Sequence, residues 1–185
     1  MIRIMKEFFL LETRGTAYCF RVTEQGFLQH LYYGRRLDLS GGWEALVPQV
    51  RHFPGNGAGL EGVCLEDMAL EVSSPGLGDL RESMVTVRGP DGDTLTDFRF
   101  EGAEVLEEKP ELEGLPSAYD EAGVCRTLRV SLLEKRGGLR LELLYTTFDR
   151  CDVITRSARL VNLGGRPVTV LRLLSSQVDF AEQGY

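Results

Sequence analysis

The chain has 185 residues, of which 43% are hydrophobic and 26% are charged, values that exclude a disordered chain and a fibrous repeat. The length predicts a single domain with a hydrophobic core of its own. The 28 acidic residues outnumber the 21 basic ones and give a formal net charge of -7. This excess argues against a nucleic acid partner, because phosphate binding needs clustered Lys and Arg.

The first residues and the cysteines carry no targeting or metal signal. Lys6, Glu7 and Glu12 interrupt the apolar run that a secretory signal needs, and no stretch is long enough to cross a bilayer. We therefore expect a cytoplasmic protein with no membrane partner. We also expect reduced thiols, no metal and no other cofactor, because the Cys and His residues lack ligand spacing. These residues are Cys19, Cys64, Cys125, Cys151, His30 and His52.

The segment from Thr16 to Val22 alternates in character, which predicts a β-strand. Tyr18 lies on one side of this strand and Cys19 on the other, and one of the two faces is expected to meet water. A turn at 24–26 and a second β-rich run from Phe27 to Tyr33 follow. Together they predict a hairpin.

A second hairpin is predicted between Ser83 and Phe100, where two β-rich runs flank the turn sequence Gly-Pro-Asp-Gly-Asp at 89–93. Beyond Gly123, β-rich runs separated by turns predict four consecutive antiparallel strands. These runs are Thr127 to Leu133, Leu139 to Phe148, Val153 to Asn162 and Val168 to Ser175. Many strands without a sustained helical period favour an all-β fold, an antiparallel β-sandwich.

The long stretch between the two hairpins is the predicted location of any function. Its only helical spacing, from Trp43 to Val50, contains Pro48 and predicts at most one short helical turn. From Arg35 to Glu82 the chain otherwise becomes a loop rich in Gly and Pro, including the segment 52–59. Long loops of this kind tend to be functional.

No catalytic residue can be assigned from the sequence. Any two of the 28 acidic residues are far more often surface charges than a glycosidase carboxylate pair. Nucleophile-elbow, Walker A and dinucleotide-binding motifs are absent, and Gly76-Leu77-Gly78 is interpreted as a turn that depends on glycine. Asp79 and Arg81 share one side of an extended chain, where they could bind sugar hydroxyls or form an ordinary salt bridge.

Several sequence segments occur in an order that is typical of one enzyme family. They are YCFRVTEQGFLQHLYYG (Tyr18 to Gly34), GLGDLR (Gly76 to Arg81), KPELEGLPSAY (Lys109 to Tyr119), TLRV (Thr127 to Val130), YTTF (Tyr145 to Phe148), ITRS (Ile154 to Ser157) and LLSSQVDF (Leu173 to Phe180). Over nearly the whole chain, they resemble the N-terminal region of family 36 α-galactosidases.

The resemblance implies a β-supersandwich of the galactose mutarotase type that precedes a (β/α)8 barrel. It implies retaining hydrolysis of terminal α-D-galactosyl residues by two aspartates of that barrel, with no metal or organic cofactor. The family's N-terminal domain is longer than this chain. Residues 1–185 are therefore expected to form part of the sandwich, and the barrel is expected to lie outside the chain.

The resemblance also implies a role for one loop in substrate binding. In tetrameric members, the corresponding loop reaches toward the active site of a neighbouring subunit, which implies a homo-oligomer. Its polar positions are matched by Asp67, Asp79 and Arg81. Val72 and Leu80 stand where members usually carry aromatic residues, so stacking of this loop on a sugar ring is not expected.

Three functions remain open from the sequence. The first is an accessory sandwich that supports oligomer assembly and shapes the substrate entrance of an α-galactosidase. The second is a free-standing module that binds carbohydrate through exposed aromatics, although aromatics in strands more often fill a core. Its candidate residues are Tyr32, Tyr33, Trp43 and Phe53. The third is a structural domain whose exposed strand edge pairs with another copy.

Overall fold

The computed structural model describes residues 1–49, 63–120, 123–136 and 138–179. Within these ranges the regular structure consists of antiparallel β-strands and one short 3-10 helix, Glu44–Leu46. No helix in the described part of the chain is long and apolar enough to cross a membrane. The prediction of an all-β antiparallel fold is confirmed.

The four N-terminal strands form one sheet, sheet A, in chain order. Its strands are β1 (Ile2–Met5), β2 (Phe8–Glu12), β3 (Thr16–Val22) and β4 (Leu28–Arg35). The hairpin of β3 and β4 was predicted from the sequence, but β1 and β2 were not. All five residues of β2 are buried, so the strand is apolar without the alternation that marks a half-exposed strand.

The remaining strands form a second four-stranded sheet, sheet B, and a two-stranded ribbon. Sheet B contains β6 (Phe98–Leu106), β7 (Arg126–Glu134), β8 (Leu139–Phe148) and β9 (Val153–Asn162) in chain order. The ribbon pairs β5 (Val85–Arg88) with β10 (Thr169–Leu173). Strands distant in sequence are therefore brought together in the ribbon.

Two predicted pairings are wrong. The strands on either side of the 89–93 turn do not form a hairpin, because β5 pairs with β10 and β6 pairs with β7. The turn itself exists, with the Gly89 amide 2.8 Å from the Asp93 carbonyl oxygen. The chain after it, however, is engaged elsewhere, since the Thr96 amide donates to the Pro75 carbonyl oxygen at 3.2 Å. The run that became β10 is not a fourth strand beside β9, because it pairs with β5.

The main core lies between the inner faces of the two sheets. Phe9 and Phe20 of sheet A stack with ring centroids 4.7 Å apart, and Phe20 stacks on Tyr145 of sheet B at 5.1 Å. All three side chains are almost completely buried. Full burial of one such side chain contributes roughly 1.5–3 kcal/mol, so this aromatic stack is a principal contact between the sheets.

The outer face of sheet A is covered, which corrects the expectation that one face of β3 meets water. Cys19 and Phe8 are fully buried there beneath the chain that follows β4. Trp43 stacks on Phe8 with ring centroids 5.0 Å apart, and Leu46 packs on the same cluster. The predicted short helical turn is thus confirmed. It is the 3-10 helix Glu44–Leu46, which forms part of the chain that covers this face.

The aromatic candidates for a carbohydrate module are mostly engaged inside the fold. Trp43 and Tyr32 pack on the outer cluster of sheet A. Tyr33 is half exposed and lies 5.6 Å from the ring of Tyr18. Phe53, like His52 and the rest of the segment 52–59 within the predicted functional loop, lies outside the described residues. The described aromatics therefore do not form an exposed platform.

Candidate functional site

The chain between residues 63 and 82, here the 63–82 segment, docks along the free edge of β4. The His30 amide donates to the Ala69 carbonyl oxygen at 2.9 Å, and the Glu71 amide donates to the Leu28 carbonyl oxygen at 3.0 Å. Gln29 and Leu70 form an isolated antiparallel bridge between these two bonds. The segment therefore covers an edge that would otherwise expose unpaired backbone groups.

A small core of its own supports the 63–82 segment. Leu65, Met68 and Leu70 pack on Phe27, and Leu77 packs against this cluster. Leu77 has a left-handed φ of 57°, which is uncommon for a residue with a side chain. Its neighbours Gly76 and Gly78 also have positive φ, as the interpretation of this stretch as a turn that depends on glycine requires.

Arg81 joins the two ends of this segment. Its Nε donates to Asp79 Oδ1 at 2.8 Å, and one terminal nitrogen donates to the carbonyl oxygens of Leu65 and of Met68, the latter at 2.8 Å. The other terminal nitrogen forms an ion pair with Asp179. The planar guanidinium group thus holds the 65–68 turn against the Asp79 turn, which a lysine could not do with the same geometry.

The three predicted site residues are brought together, with different exposure. Asp79 is buried and Arg81 is mostly buried, and both bond to this chain. Asp79 Oδ2 is buried without a partner among the described residues. Asp67 is exposed on the 65–68 turn that Arg81 holds, and Leu80 is 84% exposed between Asp79 and Arg81. The arrangement presents the Asp67 carboxylate and the apolar side chain of Leu80 on a rigid support.

Replacing Arg81 with Lys is expected to loosen this segment without unfolding the sheets. Loss of the charged hydrogen bonds should cost the segment about 1.5–3 kcal/mol. Hydrogen exchange at the amides of Met68 and Asp79, both bonded within the segment's turns, should accelerate roughly tenfold or more. Arg140→Lys is the control, because Arg140 forms its ion pair with Glu101 on the partly exposed surface of sheet B. Equal exchange in both variants would contradict the role of Arg81.

A buried polar cluster anchors the 63–82 segment to both sheets, and we call it the Glu71 cluster. The fully buried Glu71 carboxylate accepts from Tyr18 at 2.7 Å, from Tyr145 at 2.7 Å and from His30 Nδ1 at 2.8 Å. Arg156 lies 3.0 Å away as its ion-pair partner. Because a carboxylate only accepts, His30 must carry its proton on Nδ1.

The contacts in the Glu71 cluster keep the Glu71 carboxyl group ionised. Burial alone would raise the pKa of the Glu71 carboxyl, but the Arg156 charge and the His30 hydrogen bond outweigh it. The pKa therefore lies below its ordinary value of 4.5. Burial, together with the Glu71 charge, raises the pKa of Tyr18 and of Tyr145 well above the usual tyrosine range. Both phenols remain protonated and donate to Glu71.

The Glu71 cluster was not predicted from the sequence. Its members come from strands in both sheets and from the 63–82 segment, and their sequence spacing therefore gave no signal. One sign was available: a charged residue, Arg156, stands within the β-rich run that became β9. A charge in a strand interior that is expected to be buried calls for a buried partner.

With this geometry established, comparison with known proteins identifies the family. The sequence profile described as glycosyl hydrolase family 36 N-terminal domain matches residues 26–185. The chain belongs to this family. Its family 36 domain is 31% identical over 180 residues to the bifunctional α-galactosidase/sucrose kinase AgaSK of Mediterraneibacter gnavus, covering 96% of this chain and 19% of that protein. It is 32% identical over 179 residues to α-galactosidase AgaA of Geobacillus stearothermophilus, covering 96% and 25%.

Solved structures show the same fold for this family 36 domain. The α-galactosidase of Lactobacillus brevis superimposes with a TM-score of 0.85 at 30% identity, covering 94% of this chain and 24% of that one. A variant of Geobacillus stearothermophilus AgaA in complex with stachyose gives a TM-score of 0.85 at 33% identity, covering 94% and 24%. The chain thus spans about a fifth to a quarter of the length of these relatives.

Proposed function

We propose that this chain is the N-terminal, non-catalytic domain of an α-galactosidase. The observation that carries the proposal is the identity of about a third, over nearly the whole chain, to two α-galactosidases. In this proposal a barrel outside the chain carries the two catalytic aspartates and performs retaining hydrolysis. The substrates are galacto-oligosaccharides such as raffinose, which is present in one solved complex of AgaA.

The proposed role of the domain is to support the oligomer and to shape a substrate entrance through the 63–82 segment. The segment has the properties that such a role needs. The Arg81–Asp79 ion pair fixes it from within, the Arg81–Asp179 ion pair joins it to the chain after β10, and the Glu71 cluster fixes it to both sheets. Rigid presentation matters, because a binding group must be held within a fraction of an ångström of its working position.

Within this role, Asp67 is the proposed contact with substrate, and Asp79 and Arg81 support it. Asp67 is exposed and its carboxylate can accept hydrogen bonds from sugar hydroxyls. Asp79 is buried and supports this contact through its ion pair with Arg81. Leu80, at 84% exposed, offers an aliphatic contact rather than an aromatic stacking surface.

The test uses a full-length enzyme that carries this domain. Asp67→Asn should lower kcat/KM for raffinose by about tenfold or more, the effect of losing a charged hydrogen bond. Glu66→Gln, a change of the adjacent exposed acid, is the matched control and should stay within about twofold of wild type. Size-exclusion chromatography should show the same oligomer for both variants. Equal kinetics for the two variants would refute the proposed contact.

A further inference from the structure

The chain that follows β10, residues 174–179, bonds to the 63–82 segment, and we call it the 174–179 strap. Ser73 of the segment donates through Oγ to the side-chain oxygen of Gln177. The backbone carbonyl oxygen of Gln177 accepts from a terminal nitrogen of Arg156 at 2.9 Å, and Arg156 belongs to the Glu71 cluster. The strap is therefore attached both to the segment and to β9.

Asp179, at the end of the strap, supplies the partner for a backbone group that β4 leaves unpaired. Leu70 lies between two residues whose backbone groups bond to β4, so its own amide points away from that strand. The Leu70 amide donates to Asp179 Oδ2 at 3.2 Å, and Leu70 is only 2% exposed. Because a buried amide without a partner is unfavourable, the carboxylate stabilises this path of the backbone.

The same carboxylate oxygen also bonds to Arg81. One terminal nitrogen of Arg81 donates to Asp179, and the other donates to the carbonyl oxygens of Leu65 and Met68. Asp67 lies between these two residues, in a turn that the Met68 amide closes on the Leu65 carbonyl oxygen at 3.2 Å. Asp179 therefore orients the guanidinium group that holds the 65–68 turn.

Asp179 differs from Asp79, the other acid bonded to Arg81, in its attachment to the rest of the fold. Asp79 belongs to the 63–82 segment itself, so its ion pair fixes the shape of the segment. Asp179 belongs to the strap, which Arg156 of β9 holds through the backbone. The contacts of Asp179 therefore fix where the segment lies relative to the sheets.

We propose that Asp179 is a positioning residue for substrate binding, which holds the 65–68 turn, and with it Asp67, in place relative to the two sheets. This inference rests on the proposed contact of Asp67 with substrate. Asp179 acts through Arg81 and the Leu70 amide and does not itself touch substrate.

The first test concerns the contact itself and needs no enzyme activity. In the 185-residue chain, Asp179→Ala should accelerate hydrogen exchange of the Leu70 amide about tenfold or more, because the amide loses a charged acceptor. Amides of sheet B should exchange as in wild type. Asp149→Ala is the matched control, because Asp149 is a half-exposed acid that pairs with the N-terminal amine outside the strap. Equal exchange of the Leu70 amide in the two variants would overturn the proposal.

The second test asks whether Asp179 acts through Asp67, in a full-length enzyme that carries this domain. Asp179→Ala should lower kcat/KM for raffinose about fivefold or more in the wild-type background. In the Asp67→Asn background it should lower kcat/KM by less than about twofold, since the contact that it positions is already lost. Asp149→Ala should stay within about twofold of its parent in both backgrounds.

The kinetic outcomes separate this inference from the proposed function. A general structural defect in Asp179→Ala would lower kcat/KM by the same factor in both backgrounds, and that result, or no loss in either, would overturn the role of Asp179 alone. An unchanged kcat/KM in Asp67→Asn by itself would refute the proposed substrate contact, and the positioning role with it.

Discussion

Replacing Arg156 with Met is expected to lower the free energy of unfolding of the chain by about 3–5 kcal/mol, the usual effect of leaving a buried charge unpaired. The Arg156 guanidinium lies 3.0 Å from the Glu71 carboxylate, and Glu71 is fully buried. Arg156 also donates to the backbone carbonyl oxygens of Glu71 and Gln177. Urea unfolding, followed by circular dichroism and tryptophan fluorescence, measures the change.

Arg159→Met is the matched control on the same strand. The Arg159 side chain is 67% exposed and lies 3.6 Å from Glu142, so its loss should change the stability by no more than about 0.5 kcal/mol. Combining Arg156→Met with Glu71→Gln removes both charges and should destabilise the chain less than the sum of the single changes. Equal stability of the Arg156 and Arg159 variants would show that the buried pair is not an important contact.

Glu71→Gln should destabilise the chain by about 3–5 kcal/mol at neutral pH, because Arg156 is then left without its counter-charge. The difference from wild type should depend on pH. The pKa of Glu71 is lowered in the folded state, so the ionised carboxylate stabilises the fold fully above the ordinary value of 4.5. This contribution is lost as the pH falls from that value through the lower folded-state pKa.

Unfolding measured as a function of pH is the most specific test of the ionised state of Glu71. Urea unfolding of wild type and Glu71→Gln across the acid range should show two curves that converge at low pH, where the carboxyl group of wild type is also neutral. Glu104→Gln, a change of an exposed carboxylate on β6 that pairs with Arg129, provides a control for general acid effects. A constant gap between wild type and Glu71→Gln at all pH values would contradict the assigned charge state.

The sequence predicted strands well where one face was apolar and the other polar. The β3–β4 hairpin and the runs that became β7, β8 and β9 followed this rule. Pairing was not predictable in the same way, because the hydrogen-bond partner of a strand is decided by the whole fold. The β5–β10 ribbon shows this, since its strands are separated by sheet B in the sequence. Strand β2 was missed because burial on both faces removes the alternation.

The candidate site was predictable only in part. The resemblance to the family pointed to Asp67, Asp79 and Arg81, and these residues do lie in one segment that Arg81 holds together. Their roles differ because Asp67 is exposed, whereas Asp79 and Arg81 are mostly buried. The sequence alone does not show this difference. The Glu71 cluster depends on contacts between residues up to 85 positions apart. Local patterns do not identify the partners in such contacts, although Arg156 within a β-rich run indicates that a buried partner exists.

The position of β1, β2 and β3 determines where a fragment of this domain should begin if it is to be expressed. The family profile begins at residue 26, which follows β1, β2 and β3 in the chain. A fragment that began there would keep one strand of sheet A and would lose Phe9, Tyr18 and Phe20 from the core. The unit that folds is therefore larger at its amino end than the unit that sequence similarity marks, and truncation at the similarity boundary would remove three of the four strands of sheet A.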